Sequence, residues 1–504
     1  MPWVDLSSQI DYASIYYTTN TYTANVSGFD PDKATIVVLH PIFLDSTWLE
    51  LQLGDERLYR NYNLIAFDMR CAGQSHCRPS ASHDNWVNAA DLAQCFMKLH
   101  LPASHILALE GTSVYTALSF AILFPEYVNT LTLANVPAPI EQPWIYANMQ
   151  ELVHAACFAT DLETCERTAF ECVEFIFGPA TDPELRDDVI VYWEKQHAPA
   201  HRVRVAETMS VYLNRTGLTP EMLSRITKPV LIVQGEKNAI CAMKNAHRLR
   251  DQLINVPGGP VLYDVKAGRS MLSLIPYPAS ALNNVFDKFL KRFPNHRSDL
   301  VKPAMRMQDR MSAALKRLAE FTGNAEMETR NPTCSLSFSC MAPDVVSAQA
   351  IVLQDYARDA RWAFNVAKIP GRTRRYSDRA ATTDWTLTSE ISEGDSSLVF
   401  VGPVNSPSER GRHEDDDEDR SESSYNTQRM DTRSEAHMSV TSTTTKRTSI
   451  SSGHDSMSPL VKTVTAYAAP ATSDKKGDKK GIKAPPGKIA VTTTTNFTQL
   501  TGAF

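Results

Sequence analysis

The chain has 504 residues, more than one hydrophobic core normally supports, so two or more regions are expected. A formal net charge of −6 on that length excludes an overall electrostatic bias toward nucleic acid or membrane surfaces. Nine cysteines, an odd number without a C-x-x-C pair or regular spacing, fit reduced thiols better than a disulfide scaffold or a zinc site.

In chain order, "MPWVDLSSQIDYASIYY" lacks the basic and apolar regions of a secretory leader, and no later stretch has the uninterrupted apolar length of a membrane span. A cytoplasmic chain is the expectation. "ATIVVLH" (34–40) and "YNLIAFD" (62–68) read as buried parallel strands, being β-branched or apolar runs that end in turn residues. "WVNAADLAQCFMKLHL" has helical periodicity. "LALEGTSVYTALSFAILFPE" (107–126) then has the outline of a strand, a tight turn and a helix, and "NTLTLANV" is the strand after it. About ninety residues of helical pattern follow, before "KPVLIVQGE" (228–236) and "VLYDVKAG" (261–268) resume the strand series. "NAHRLRDQLI" and "YPASALNNVFDKFLKRF" supply the intervening and closing helices. Alternation of this kind predicts an α/β fold with a doubly wound, mostly parallel sheet, whose functional loops lie at the carboxyl ends of the strands.

Beyond residue 295, "MQDRMSAALKRLAEFTG" (307–323) and "VVSAQAIVLQDYARDARWAFNVA" (345–367) are amphipathic helix candidates, followed by a basic linker with Arg372, Arg374 and Arg375 beside Ser377. Composition then shifts. All tryptophans precede residue 386 and all cysteines precede 341, whereas from Pro403 the aromatics are Tyr425, Tyr467, Phe497 and Phe504. "SPSERGRHEDDDEDRSESS", "TSTTTKRTSISSGHDSMS" and "SDKKGDKKGIKAPPGK" mark a disordered tail, open to phosphorylation, because such segments bury too little apolar surface to offset chain entropy. The expected organisation is a domain at 1–295, with a helical insertion at about 138–225, a helical extension and linker at 296–400, and the tail at 401–504.

Several segments together carry a family resemblance over roughly residues 20 to 295. "VVLHP" is similar to the strand and His-Gly turn beside an oxyanion hole. "FDMRCAGQSHCRP" is close to the pattern D-x-R-G-x-G-x-S, with Asp68, Arg70, Gly73 and Ser75 in place. "HDNWVNAADLAQ", "AILFPEYVNTLTLANVPAP" and "KPVLIVQGEKN" follow in the matching order. The chain thus resembles the α/β-hydrolase superfamily, of the capped AB hydrolase-1 type, and is similar to fungal members of it. The resemblance implies an α/β-hydrolase fold, a helical cap formed by the insertion, and an apolar ligand or acyl substrate beneath it. No metal-ligand spacing, phosphate-binding glycine loop or dinucleotide fingerprint is present, so no cofactor and no metal are expected.

The same resemblance locates a catalytic triad, and there the sequence departs from it. Counting back from Pro125 places the nucleophile at Gly111, and counting forward from the strand places it at Glu110. Ser113, in "GTS", copies half of G-x-S-x-G and is the remaining nucleophile candidate. The acid position holds Asn238 and the histidine position holds Arg269, which stays protonated and cannot accept a proton. The oxyanion region comprises His40, Ile42 and Thr112, with Pro41 lacking an N–H where the family has glycine. Glu110 facing Arg269 is expected to form a buried ion pair. Cys157, Cys165 and Cys172, near helical spacing, read as small core residues on one helix face. Two functions follow from these substitutions: a non-catalytic binding or interaction protein, with a protein partner reached through the tail, or an active esterase-like serine hydrolase using Ser113 with a displaced base.

Overall fold

A computed structural model describes residues 2–366 except Ala180 and Asn295. The expectations for the tail and the Arg372–Arg375 patch lie outside the described residues.

The sheet is nine-stranded among the described residues. Its strands are β1 Trp3–Ser7, β2 Tyr12–Thr19, β3 Thr35–Leu39, β4 Asn63–Phe67, β5 His76–Cys77, β6 Ser104–Leu109, β7 Val128–Ala134, β8 Val230–Gly235 and β9 Val261–Val265. Their order is β1-β2-β4-β3-β6-β7-β8-β9, with β5 pairing β2. From β4 to β9 all pairings are parallel, while β1, β2 and β5 join antiparallel. Every residue of β3, β4, β6 and β8 is buried, which is why these strands read as continuous apolar runs with no alternation. All six strands expected from these runs form.

The N-terminal hairpin was not anticipated by the apolar-run criterion. β1 carries period-two burial, with Val4 and Leu6 inward, so its signal is alternation in a five-residue strand. Helices cover both faces. Asn85–Leu99 begins at Asp84, whose carboxylate accepts from the Trp86 and Val87 N–H groups, and its inner face packs on the elbow helix Thr112–Leu123. Met243–Gln252 and Pro276–Leu290 are also helical.

Between β7 and β8 the chain forms the helices Pro143–Cys157, Leu162–Phe177, Pro183–Gln196 and Arg202–Leu213, with the short Pro220–Ser224 after them. The apolar faces of the four long helices share a core with Ile42, Phe43 and Leu44 after β3 and with Met271 and Leu274 after β9. The insertion therefore lies over loops at the carboxyl ends of the strands. Cys165 and Cys172 are on one helix but Cys157 ends the preceding one, so the three buried thiols meet across two helices and not on one face.

The expected helix at 307–323 spans Met307–Thr322, closes on left-handed Gly323, and buries Met311, Leu315 and Leu318 in the main core. The second, Pro343–Ala357, is shorter than its apolar pattern. After it, Arg202 donates to the carbonyls of Tyr356 and Arg358, tying this segment to the insertion. No helix among the described residues is long and apolar enough to cross a membrane.

Candidate functional site

β6 delivers the chain to a sharp turn and the elbow helix leaves it. At the turn Glu110 has φ +50°, and Gly111 has φ +71° with ψ −130° before Thr112 opens the helix. Left-handed backbone at Glu110 is strained for a side-chain-bearing residue and free for glycine. Gly111 is thus the tip of the elbow.

A Cβ on Gly111 would lie 2.8 Å from Ile42 Cγ2 and 2.9 Å from Ile42 Cβ, closer than real side chains approach. The Ile42 side chain occupies the space into which a residue at the tip would project. Ile42 N lies 3.7 Å from the same point, and the Thr112 N–H, at the first turn of a helix, has no intrahelical acceptor. Both are backbone N–H groups beside the tip.

Glu110 is buried and lines the same pocket as Gly111. Ser273 Oγ donates to its carboxylate at 2.8 Å and the Ser273 N–H does so at 3.3 Å. Burial raises its pKa to about 7, against the opposing hydrogen bonds from Ser273 and Leu272. Arg269 is exposed, with its backbone packed against Gly235 and its carbonyl accepting from Asn135. The expected Glu110–Arg269 ion pair does not form; burial selects a neutral hydroxyl partner for a carboxyl that is itself half neutral near pH 7.

Ser113 is buried in the first turn of the helix, and its hydroxyl donates to the carbonyls of Leu109, at 2.7 Å, and Glu110, at 3.0 Å. Its proton is engaged by backbone. His40 is engaged as well: Nδ1 is 2.8 Å from the Pro41 carbonyl and Nε2 accepts from the Met69 N–H at 3.1 Å, which fixes the tautomer by its bonding. Asn238 Oδ1 accepts from the N–H groups of Ile240 and Cys241, at 3.1 and 2.8 Å, and so closes its own loop, with Ser270 Oγ 3.5 Å away. Tyr115, in the first turns of the same helix, is buried, and its hydroxyl donates to the Ala138 carbonyl at 3.1 Å with the Arg215 guanidinium over its ring.

The motif residues of the 68–75 loop are occupied structurally. Arg70, wholly buried, is bidentate to both Asp11 and Asp91. Asp68 accepts from the Ser46 and Gln74 N–H groups, and Gly73 at φ +44° admits no Cβ because the Asp68 carboxylate fills that space.

Three pockets surround the elbow tip and the insertion. One, of about 440 Å³ including its open mouth, lies between Gly111, Ile42 and Asn238 below and Ile145, Met149 and Ile176 of the insertion above. A second, of about 530 Å³ on the same measure, lies among the insertion helices; it shares Met149 and Ile176 with the first and is lined by Cys157, Cys165, Cys172 and Trp193. The third has a mixed lining, in which His40, Cys71, His83, Ser113 and His197 lie beside Phe43, Leu44 and Met69. Burial, with help from the Arg204 charge, pushes His197 down to about 3, so its ring is neutral at physiological pH.

Sequence reasoning did not single out His83, Glu207, Cys71 or Cys77. His83 Nδ1 lies 2.9 Å from Glu207 Oε1 and Nε2 lies 2.7 Å from Asn88 Oδ1, the ring and the carboxylate both being buried. Burial disfavours the charged ring, yet the Glu207 carboxylate holds its pKa above the usual value. Donor atoms of Cys71, Cys77 and Glu207 lie within 4.8 Å of one another. Their sequence separation hides this grouping, since Glu207 comes from the insertion.

The strand order, the crossovers between parallel strands, and an elbow at the end of β6 define the α/β-hydrolase fold. Solved structures are similar to this chain: a thermophilic esterase from Thermogutta terrifontis is 16% identical, with 58% of this chain and 99% of that one covered and a TM-score of 0.45. A hydrolase from Pseudomonas aeruginosa PA01 is 18% identical over 57% of this chain and 98% of that one, with a TM-score of 0.45. An enol-lactonase from Burkholderia xenovorans LB400 is 14% identical over 55% and 97%, with a TM-score of 0.44. At these identities the likeness concerns fold alone. No protein-family model matches the chain, and no curated protein matches it.

Proposed function

We propose that this is a non-catalytic α/β-hydrolase-fold protein whose insertion caps a pocket for a small, mostly apolar ligand. The observation that carries this reading is Gly111 at the elbow tip with Ile42 filling the space of a nucleophile. The partners support it: Arg269 is exposed and cannot take a proton, and Asn238 is turned to its own loop. Isoleucine and methionine side chains over Gly111 suit an apolar ligand, and the Thr112 and Ile42 N–H groups suit one oxygen on it.

One observation favours an active hydrolase instead: His197 borders the same pocket as Ser113. A base with a pKa of about 3 is too weak to activate a serine near pH 7, and the Ser113 proton already has backbone acceptors. Fluorophosphonate labelling of the full chain beside Ser113→Ala separates the readings. The binding reading expects no label on folded protein, together with retention of a fatty-acyl or aromatic probe in native mass spectrometry; a label lost in the variant refutes it.

A further inference from the structure

The loop from β4 to β5 brings two thiols together. Cys71 has φ +64°, in the left-handed region that favours glycine, and Cys77 is fixed in β5 opposite Ala13 of β2. Their Sγ atoms lie 3.5 Å apart. The loop between them is pinned: Asp68 holds the Gln74 N–H, and the Ser75 hydroxyl bridges the Asp68 carbonyl and the Tyr16 N–H. The pair is therefore built by the fold and is not a chance meeting of mobile side chains. A disulfide bond of about 2.05 Å lies within reach of side-chain rotation from that separation.

We propose that Cys71 and Cys77 are a redox-active dithiol, which a peroxide oxidises to an intramolecular disulfide. Cys77 is half-buried and Cys71 buried, so the oxidant meets Cys77 first. The hydrogen bond from Cys71 also holds the Cys77 thiol below its ordinary pKa against the opposing effect of burial, whereas burial pushes Cys95, Cys157, Cys172 and Cys241 up. The Cys77 thiol gives up its proton as its sulfur attacks one peroxide oxygen and the O–O bond breaks, and the departing hydroxide takes that proton to leave as water, with a sulfenic acid at Cys77. Cys71 then attacks the sulfenic sulfur as the S–O bond breaks. Its proton passes through the neighbouring Glu207 carboxylate to the leaving hydroxide, giving a second water. Two thiols and one hydrogen peroxide thus become one disulfide and two waters. His83 and the Ser80 N–H orient the carboxylate that accepts that proton. The step is independent of whether the Gly111 site is catalytic.

Cleavage before Asp68 and Asp84 releases residues 68–83, which contain Cys71 and Cys77 and no other cysteine. After hydrogen peroxide treatment of the reduced full chain, blocking with N-ethylmaleimide and that digestion, mass spectrometry should show this peptide lighter by two hydrogens and unblocked, with both thiols restored by dithiothreitol. Cys77→Ser should slow oxidation of Cys71 about tenfold or more, and Cys71→Ser should leave a dimedone-reactive sulfenic acid at Cys77. The wild-type peptide carries the test if a variant fails to fold. Both thiols remaining blocked, sulfinic acid at Cys77 without the loss of two hydrogens, or stoichiometric zinc retained on reduced protein through desalting would each overturn the proposal.

Discussion

Replacing Glu110 by glutamine should remove a defined part of the pH dependence of stability. The carboxyl is buried beneath the elbow, and its pKa stands at about 7 against an ordinary 4.5. A carboxyl raised on folding contributes stability that is fully present below its unfolded pKa and is lost as pH rises through the folded one. At about 1.4 kcal/mol per pH unit, the difference amounts to roughly 3 kcal/mol in total, of which about 2 kcal/mol falls between about pH 5.5 and about pH 8.5. Urea unfolding of wild type and Glu110→Gln across that interval measures it, because other ionisable groups titrate in both proteins and cancel. The wild type should lose about 2 kcal/mol relative to the variant on going to the higher pH. Parallel stability profiles would refute the claim that Glu110 is desolvated with only Ser273 and Leu272 as partners.

Gly111→Ser should lower stability by about 1–3 kcal/mol, because its Cβ meets Ile42 and its backbone is left-handed, and it should gain no fluorophosphonate label. Labelling of that variant would reveal a working base at the elbow. Arg70→Ala leaves Asp11 and Asp91 buried without their cation and should cost about 3–5 kcal/mol by urea unfolding, whereas a loss under about 1 kcal/mol would show that the pairs contribute little. Glu207→Gln should abolish the elevated pKa of His83, which proton NMR titration of the ring reads directly; an unchanged titration would place the cause elsewhere.

The apolar runs at 34–40, 62–68 and 228–236 were legible as strands because a strand buried on both faces is apolar throughout, and their short, β-branched-rich length between turn residues separates them from a buried helix such as Thr112–Leu123. β1 escaped because five alternating residues carry little periodic signal. The count back from Pro125 lands on Gly111 and the count from the strand on Glu110; both lie in the positive-φ turn before the helix, a conformation that residue spacing does not reveal. The Glu110–Arg269 pairing failed because residue types state what charge a side chain bears and not which way it faces.

Sequence alone determined the six parallel strands, the place of the strand–turn–helix and the chemical identity of its residues, since apolar runs, turn residues and side-chain chemistry are local properties. Only the tertiary structure decided what those residues touch. Ile42 comes to Gly111, Ser273 to Glu110 and Glu207 to His83 across separations of 69, 163 and 124 residues, as packing joins segments that no periodicity relates.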